Sequence, residues 1–173
     1  MIQEDINYTI QQASIADADI IHHLGRQVYY ATYSEILSRE QIDFMLGKNY
    51  IPAALVDAMR VGQDFFILYN SYNEALGFIS LQNKEQHILR IEKLYLLPDQ
   101  QSKGLGRQLV EFAATHAANR QRSILELNVN RNNKAYYFYL KQGFHVIAEV
   151  DIPYHGFVLD DYVMQKVVAH LPV

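Results

Sequence analysis

The sequence predicts an α/β fold: one domain over residues 1–173, with a mixed, mostly antiparallel sheet and helices on both faces. Three observations lead there. First, strand formers from His87 to Leu97 end at Pro98, and a polar turn with Gly104 and Gly106 follows. Beyond it Leu105, Leu109, Phe112, Ala113 and Ala117 recur at helical spacing, so the stretch reads strand, glycine turn, helix. Second, Ile124–Val129 is a further strand run, so the crossover through that helix is right-handed and sets the two strands parallel. Third, the remaining strand runs lie in neighbouring pairs separated by short polar turns, as antiparallel strands do.

Taken in order, Tyr8–Ala13 is expected as a short first strand. Ser14, three residues before Asp17, resembles a helix start, and Ile20, Ile21, Leu24, Val28 and Ala31 follow on one face. Ser38 and Gln41 form a capping box for a second helix through Met45 and Leu46, closing near Gly47. Pro52 suits a first helical turn, and Ala53–Arg60 continues to a stop at Gly62. Phe65–Tyr69 and Ala75–Gln82 form a hairpin, and a turn over Asn83–Gln86 leads into the strand before the glycines. After the crossover Asn132 opens a helix that Gly143 ends. Phe144–Val150 and Phe157–Val167 complete the sheet, joined by a loop with Pro153 and Gly156.

Composition excludes several classes of function. The formal charge is −4 with no basic run or basic helix face, so nucleic acid is not an expected partner. There is no Cys, which removes disulfides, thiolate metal sites and a Cys nucleophile, and fits a cytoplasmic location. Met1–Asn7 lacks the apolar core of a signal peptide, and no run approaches the ~18 apolar residues of a membrane span. Seven His are scattered; adjacent His22 and His23 point to different helix faces, so no metal site is expected. The thirteen Tyr suit core and groove lining, where a large ring is buried and a polar tip stays available.

The turn at Gly104 and Gly106 leaves the first N–H groups of its helix without intrahelical partners, at the positive end of the helix dipole. That is a phosphate site, and glycine permits close approach. A P-loop needs Lys-Ser/Thr after the last glycine, but Arg107 and Gln108 follow. A dinucleotide fingerprint needs Gly or Ala where Leu109 stands, although Glu126 supplies an acid about twenty residues on. The third pattern, Gln101-x-x-Gly104-x-Gly106 after a strand ending in Pro98, resembles the pyrophosphate loop of the GNAT superfamily of acyl-CoA-dependent N-acyltransferases. Asn132-x-x-Ala135-x-x-Phe138-Tyr139-x-x-x-Gly143-Phe144 is similar to the C-terminal motif of that superfamily. Together the motifs span about Gly77–Val150. The first helix (Tyr29, Tyr30, Thr32, Tyr33), Ile91–Tyr95 and Asp161–Met164 look most like the bacterial polyamine-acetyltransferase-like branch.

The resemblance implies a GNAT-like domain whose central parallel strands splay apart to admit acetyl-CoA. Its arm would bind along Leu94, Tyr95 and Leu96. Its pyrophosphate would meet the backbone of Gln101, Ser102, Lys103, Gly104, Leu105, Gly106 and Arg107, with charge from Lys103 and Arg107. Asn132 would cap its helix or touch the cofactor arm. It also implies direct transfer to a primary amine within a ternary complex, with no covalent intermediate and no metal. Tyr139 is the implied general acid at the departing sulfur, beside its alternative as a core tyrosine. Glu92 is the candidate base: by a period of two it shares a strand face with Arg90, Leu94 and Leu96. A carboxylate merely paired with Arg90 or Lys93 is the alternative. Tyr29, Tyr30 and Tyr33, with Tyr154 and His155 on the last loop, are expected to border the acceptor. With Glu149, Asp151, Asp160 and Asp161 after Lys141, such a mouth suits a cationic amine such as a polyamine, or a peptide amine. Two rivals are a non-catalytic acetyl-CoA sensor and a nicotinamide-dinucleotide oxidoreductase. A homodimer is possible, with Phe157–Val167 pairing or swapping between copies.

Overall fold

A computed structural model describes residues 7–85 and 87–168. Residues 1–6 of the N-terminal stretch and Gln86 of the expected turn lie outside the described residues. The elements run β1 (Thr9–Gln12), α1 (Ala18–Tyr33), α2 (Arg39–Asn49), α3 (Pro52–Arg60), β2 (Asp64–Tyr69), β3 (Ala75–Asn83) and β4 (Ile88–Leu96). Then come α4 (Leu105–Asn119), β5 (Ile124–Asn130), α5 (Ala135–Lys141), β6 (His145–Tyr154) and β7 (Phe157–Val167). The seven strands form one sheet in the order β1-β2-β3-β4-β5-β7-β6. Only β4 and β5 are parallel.

Helices cover both faces of the sheet. On one, Leu89, Ile91, Leu125 and Leu127 pack with Leu105, Leu109 and Ala113 of α4. On the other, Phe65, Ile67 and Phe78 meet Ile21 and Leu24 of α1, Leu46 of α2 and Leu55 of α3.

The parallel pair is short. Ile88, Leu89 and Arg90 face Ile124, Leu125 and Glu126, and beyond these residues β4 and β5 diverge. At the point of divergence Glu126 is 2% exposed. Its Oε1 accepts from Lys84 Nζ at 2.6 Å and Arg90 Nη1 at 2.8 Å, and its Oε2 from Gln165 Nε2 at 2.7 Å. Burial alone raises the Glu126 carboxyl, but the bonds from Lys84, Gln165 and Arg90 outweigh it and hold the group below its ordinary range.

Several expectations are corrected. Antiparallel pairing of β2, β3 and β4 rules out a dinucleotide-binding half, and Glu126 is consumed by the sheet. α2 continues past Gly47 to Asn49, and the Tyr50 N–H still bonds Leu46 O while the Tyr50 ring lies where Gly25 has no Cβ. α5 begins at Ala135 and not at Asn132. The Asn133 Oδ1 accepts from Ala135 N–H at 3.0 Å, whereas Asn132 N–H donates to Asn130 Oδ1 at 2.9 Å. Asn side chains here bind the local backbone in place of a helical turn. The last loop is a tight hairpin: His155 and Gly156 both have positive φ, joining β6 to β7 in two residues. Pro153 is tolerated because β6 is an edge strand. β7 lies between β5 and β6 with both edges paired, so it offers no edge to a second copy; the open edges of the described sheet are β1 and β6.

The sign of the Glu126 shift sets a pH dependence. A depressed folded-state pKa stabilises fully above the unfolded value of about 4.5 and loses that contribution as pH falls through the folded value. Glu126→Gln is expected to destabilise the fold by about 3 kcal/mol at neutral pH. Thermal unfolding of the variant should also depend less on pH between roughly 5 and 3 than that of the parent.

Candidate active site

Where β4 and β5 separate, a cavity of about 1220 Å³ opens. From Ile91 onward the β4 edge that would face β5 has no strand partner. Leu94, Tyr95 and Leu96 form one wall, and Leu127, Asn128 and Val129 of β5 the other. Gln101, Ser102, Gly104, Gly106 and Arg107 line one end. Thr32, Tyr33, Ser34 and Glu35, at the end of α1, line another part of the wall.

At the glycine end, Gly104 is the cap of α4 with φ +78°, a left-handed conformation that glycine adopts without strain. The Gln108 N–H makes the first helical bond, to Gly104 O, so the N–H groups of Leu105, Gly106 and Arg107 are left to a ligand. Gly106 also makes room for a ring: a Cβ there would stand 3.0 Å from Phe138 Cζ. The missing side chain seats a ring of α5. Arg107 is in an exposed pair with Glu111 at 2.9 Å, a contact weak enough to exchange for a phosphate. Lys103 and Leu105 are not on the cavity wall: the Lys103 ammonium turns toward Gln100, at 3.5 Å, and Leu105 is a core residue.

Tyr139 is 8% exposed, packs on Phe138 and Phe144, and lines the cavity. Burial, and then the neighbouring Tyr33, push its phenol well above the ordinary value, so it carries its proton throughout the physiological range. Glu92 also lines the cavity. It is the extra residue of a β-bulge: Ser80 pairs Lys93 while Leu81 pairs Ile91. The bulge breaks the period of two. Arg90 and Glu92 stay together, with Arg90 Nε donating to Glu92 Oε1 at 3.0 Å, but Leu94 and Leu96 join the α4-side core. Lys93 points into the other core, where its Nζ donates to Gln63 Oε1 at 3.0 Å and lies over the Tyr50 and Phe65 rings. Burial lowers its pKa, partly opposed by Glu92.

The expected acceptor residues separate. Tyr33 lines the cavity, its phenol raised by burial against bonds from Tyr95 and Asn133. Tyr29 lies behind it, packed among Tyr33, Tyr50 and Tyr95. Tyr30 turns away to bond Asp43 of α2. Tyr154 and His155 are off the cavity wall: the hairpin tip packs on Phe44, and the Tyr154 hydroxyl donates to Asn49. The four acids also part company. Glu149 and Asp151 are exposed on β6, with Asp151 paired to Arg131 at 2.6 Å, and Asp160 accepts from Asn130. Asp161 alone sits under the α1 tyrosines, accepting from Asn128 Nδ2 at 3.3 Å. Asn132 lines the cavity without capping α5.

Glu35, Asn128 and Phe138 are cavity residues absent from the expected site. Asn128 was legible in principle, since Glu126, Asn128 and Asn130 alternate with the apolar Leu125, Leu127 and Val129. Glu35 follows the end of α1 and carries no pattern. Among the described residues no group of three or more His, Asp or Glu is placed to hold a metal ion, and no helix is long and apolar enough to cross a membrane.

Comparison with known proteins agrees with the fold. The acetyltransferase (GNAT) domain family matches residues 34–166. An "uncharacterized N-acetyltransferase in pepI 3'region" of Lactobacillus delbrueckii subsp. lactis is 30% identical over 160 residues, covering 88% of this chain and 90% of the relative. A spermidine N(1)-acetyltransferase of Thermoplasma acidophilum is 29% identical over 147 residues, covering 79% and 88%. The crystal structure of the PaiA N-acetyltransferase from Thermoplasma acidophilum with coenzyme A superposes with a TM-score of 0.80 at 24% identity, over 93% of this chain and 99% of that one.

Asp161 yields a prediction opposite in sign to that for Glu126. Burial raises its carboxyl above the ordinary 3.8, with Asn128 opposing, so the ionised form costs stability at neutral pH and the cost disappears below the unfolded value. Asp161→Asn is expected to raise the melting temperature at pH 7, with the gain shrinking as pH is lowered toward about 4.

Proposed function

The chain belongs to the GNAT acetyltransferase family, and from that premise we propose that it moves acetyl from acetyl-CoA directly to a primary amine, a polyamine foremost, within a ternary complex. One observation carries the reading: a single cavity joins the α4 N-terminus, the unpartnered edge of β4, Glu92 and Tyr139. The N–H groups of Leu105, Gly106 and Arg107 suit the pyrophosphate, and the free edge of β4 at Leu94 and Leu96 suits an amide-bearing arm added like a strand. The related structure with coenzyme A supports the same ligand here.

The amine arrives as an ammonium, and the Glu92 carboxylate takes its proton, directly or through water. The neutral nitrogen then attacks the thioester carbonyl carbon. A C–N bond forms, the C–S bond breaks, and the departing sulfur takes the electron pair. Tyr139 faces that sulfur in this reading. Burial makes its phenol a weaker acid, so it acts mainly by hydrogen-bonding the developing thiolate; the proton that the newly acylated nitrogen loses as it becomes an amide passes to that thiolate, giving free CoA thiol. The acceptor class is supported by the similarity to a spermidine N(1)-acetyltransferase and by Glu35 and Glu92 on the cavity wall.

Release of CoA thiol from acetyl-CoA, measured across polyamines, amino acids, aminoglycosides and short peptides, tests the acceptor. Release with polyamines is expected; release confined to another class would replace them. Saturable acetyl-CoA binding without release for any amine would make the cleft a sensor. Tyr139→Phe should lower kcat about 100-fold with little change in KM for acetyl-CoA. An unchanged kcat would remove Tyr139 from the chemistry.

A further inference from the structure

Arg90 is the last residue of β4 paired with β5, and its guanidinium has acceptors on both strands. Its Nη1 donates to Glu126 Oε1 at 2.8 Å and to Asn128 Oδ1 at 3.0 Å, while its Nε donates to Glu92 Oε1 at 3.0 Å. Two of these acceptors are themselves held. Glu126 is buried and also bonded to Lys84 and Gln165. Asn128 is tied through its other amide atom to Asp161. The third, Glu92, is the bulged residue on the cavity wall, and its Oε2 has no protein partner among the described residues.

A bulge gives local backbone freedom, and a glutamate has three side-chain torsions. Left alone, such a carboxylate would sample several positions over the cavity. A fork anchored on β5 removes that freedom for one oxygen and leaves the other without a protein partner on a residue of the cavity wall.

We propose that Arg90 is a positioning residue for acetyl transfer, holding the Glu92 carboxylate at the cavity wall by anchoring it to Glu126 and Asn128 of β5. The inference rests on the reading of Glu92 as the base. Arg90 itself touches neither substrate. Its effect on turnover passes through Glu92, while acetyl-CoA binding, which uses the α4 end and the β4 edge, is independent of it.

The test is a double-mutant cycle on the full chain, with kcat and KM for both substrates read for Arg90→Met, Glu92→Gln and the pair, and melting temperature recorded for each. Arg90→Met is expected to lower kcat on the order of 10- to 100-fold in the parent, with KM for acetyl-CoA within about twofold. In the Glu92→Gln background it should change kcat by less than about twofold. Equal losses in both backgrounds, or no loss in the parent, would overturn the positioning role while leaving Glu92 as base. A Glu92→Gln enzyme with parental kcat would overturn both. If Arg90→Met does not fold, Arg90→Lys completes the same cycle: it keeps the charge but loses the fork, so the same loss of coupling is expected, and additivity again contradicts it.

Discussion

A buried carboxylate between two strands must be fully bonded or it unfolds the sheet around it. Glu126 meets that condition with Lys84, Arg90 and Gln165, drawn from the β3–β4 turn, β4 and β7. Removing charges from water is costly, and such a cluster adds little net stability over an apolar one. Its value lies in geometry. It fastens the parallel pair at one end, so that β4 and β5 can separate at the other without the sheet sliding in register. The cavity opens beyond that fastening.

Separation of the strands creates two conditions at once. One edge of β4 is left with polar backbone groups that a ligand can satisfy, and a wedge opens that side chains from α1, α4 and α5 can line. The α5 side chains do not arrive independently of the glycine turn. Phe138 occupies the space that Gly106 leaves, and the adjacent Tyr139 is packed on Phe138 and Phe144. The glycine turn and the phenol are therefore set by one contact between α4 and α5. The two sequence motifs are halves of one packing arrangement.

Much of this was legible in the chain. The order of elements follows from periodicity, and the crossover rule dictates a parallel pair between β4 and β5. The glycine turn was legible as a turn before a helix, because Gly104 adopts a left-handed backbone at the cap of α4. What escaped did so for physical reasons. Alternation along β4 assumes an unbroken pleat, so the bulge at Glu92 put Leu94 and Leu96 on the face opposite to the one expected. Three asparagines in four residues, Asn130, Asn132 and Asn133, compete for the same backbone groups, and spacing does not say which of them caps α5. Tyr30, Tyr154 and His155 were grouped by residue type, but helix phase and the tight turn at Gly156 send them to α2.

In the proposed function the free edge of β4 and the first turn of α4 together hold acetyl-CoA. Amide hydrogen exchange with and without acetyl-CoA tests it most directly. Slower exchange is expected at residues 91–97 and 104–107 on binding, with β1 and the β6–β7 hairpin tip unchanged. Binding that protects neither segment, or protects only the α1–α2 side, would contradict it.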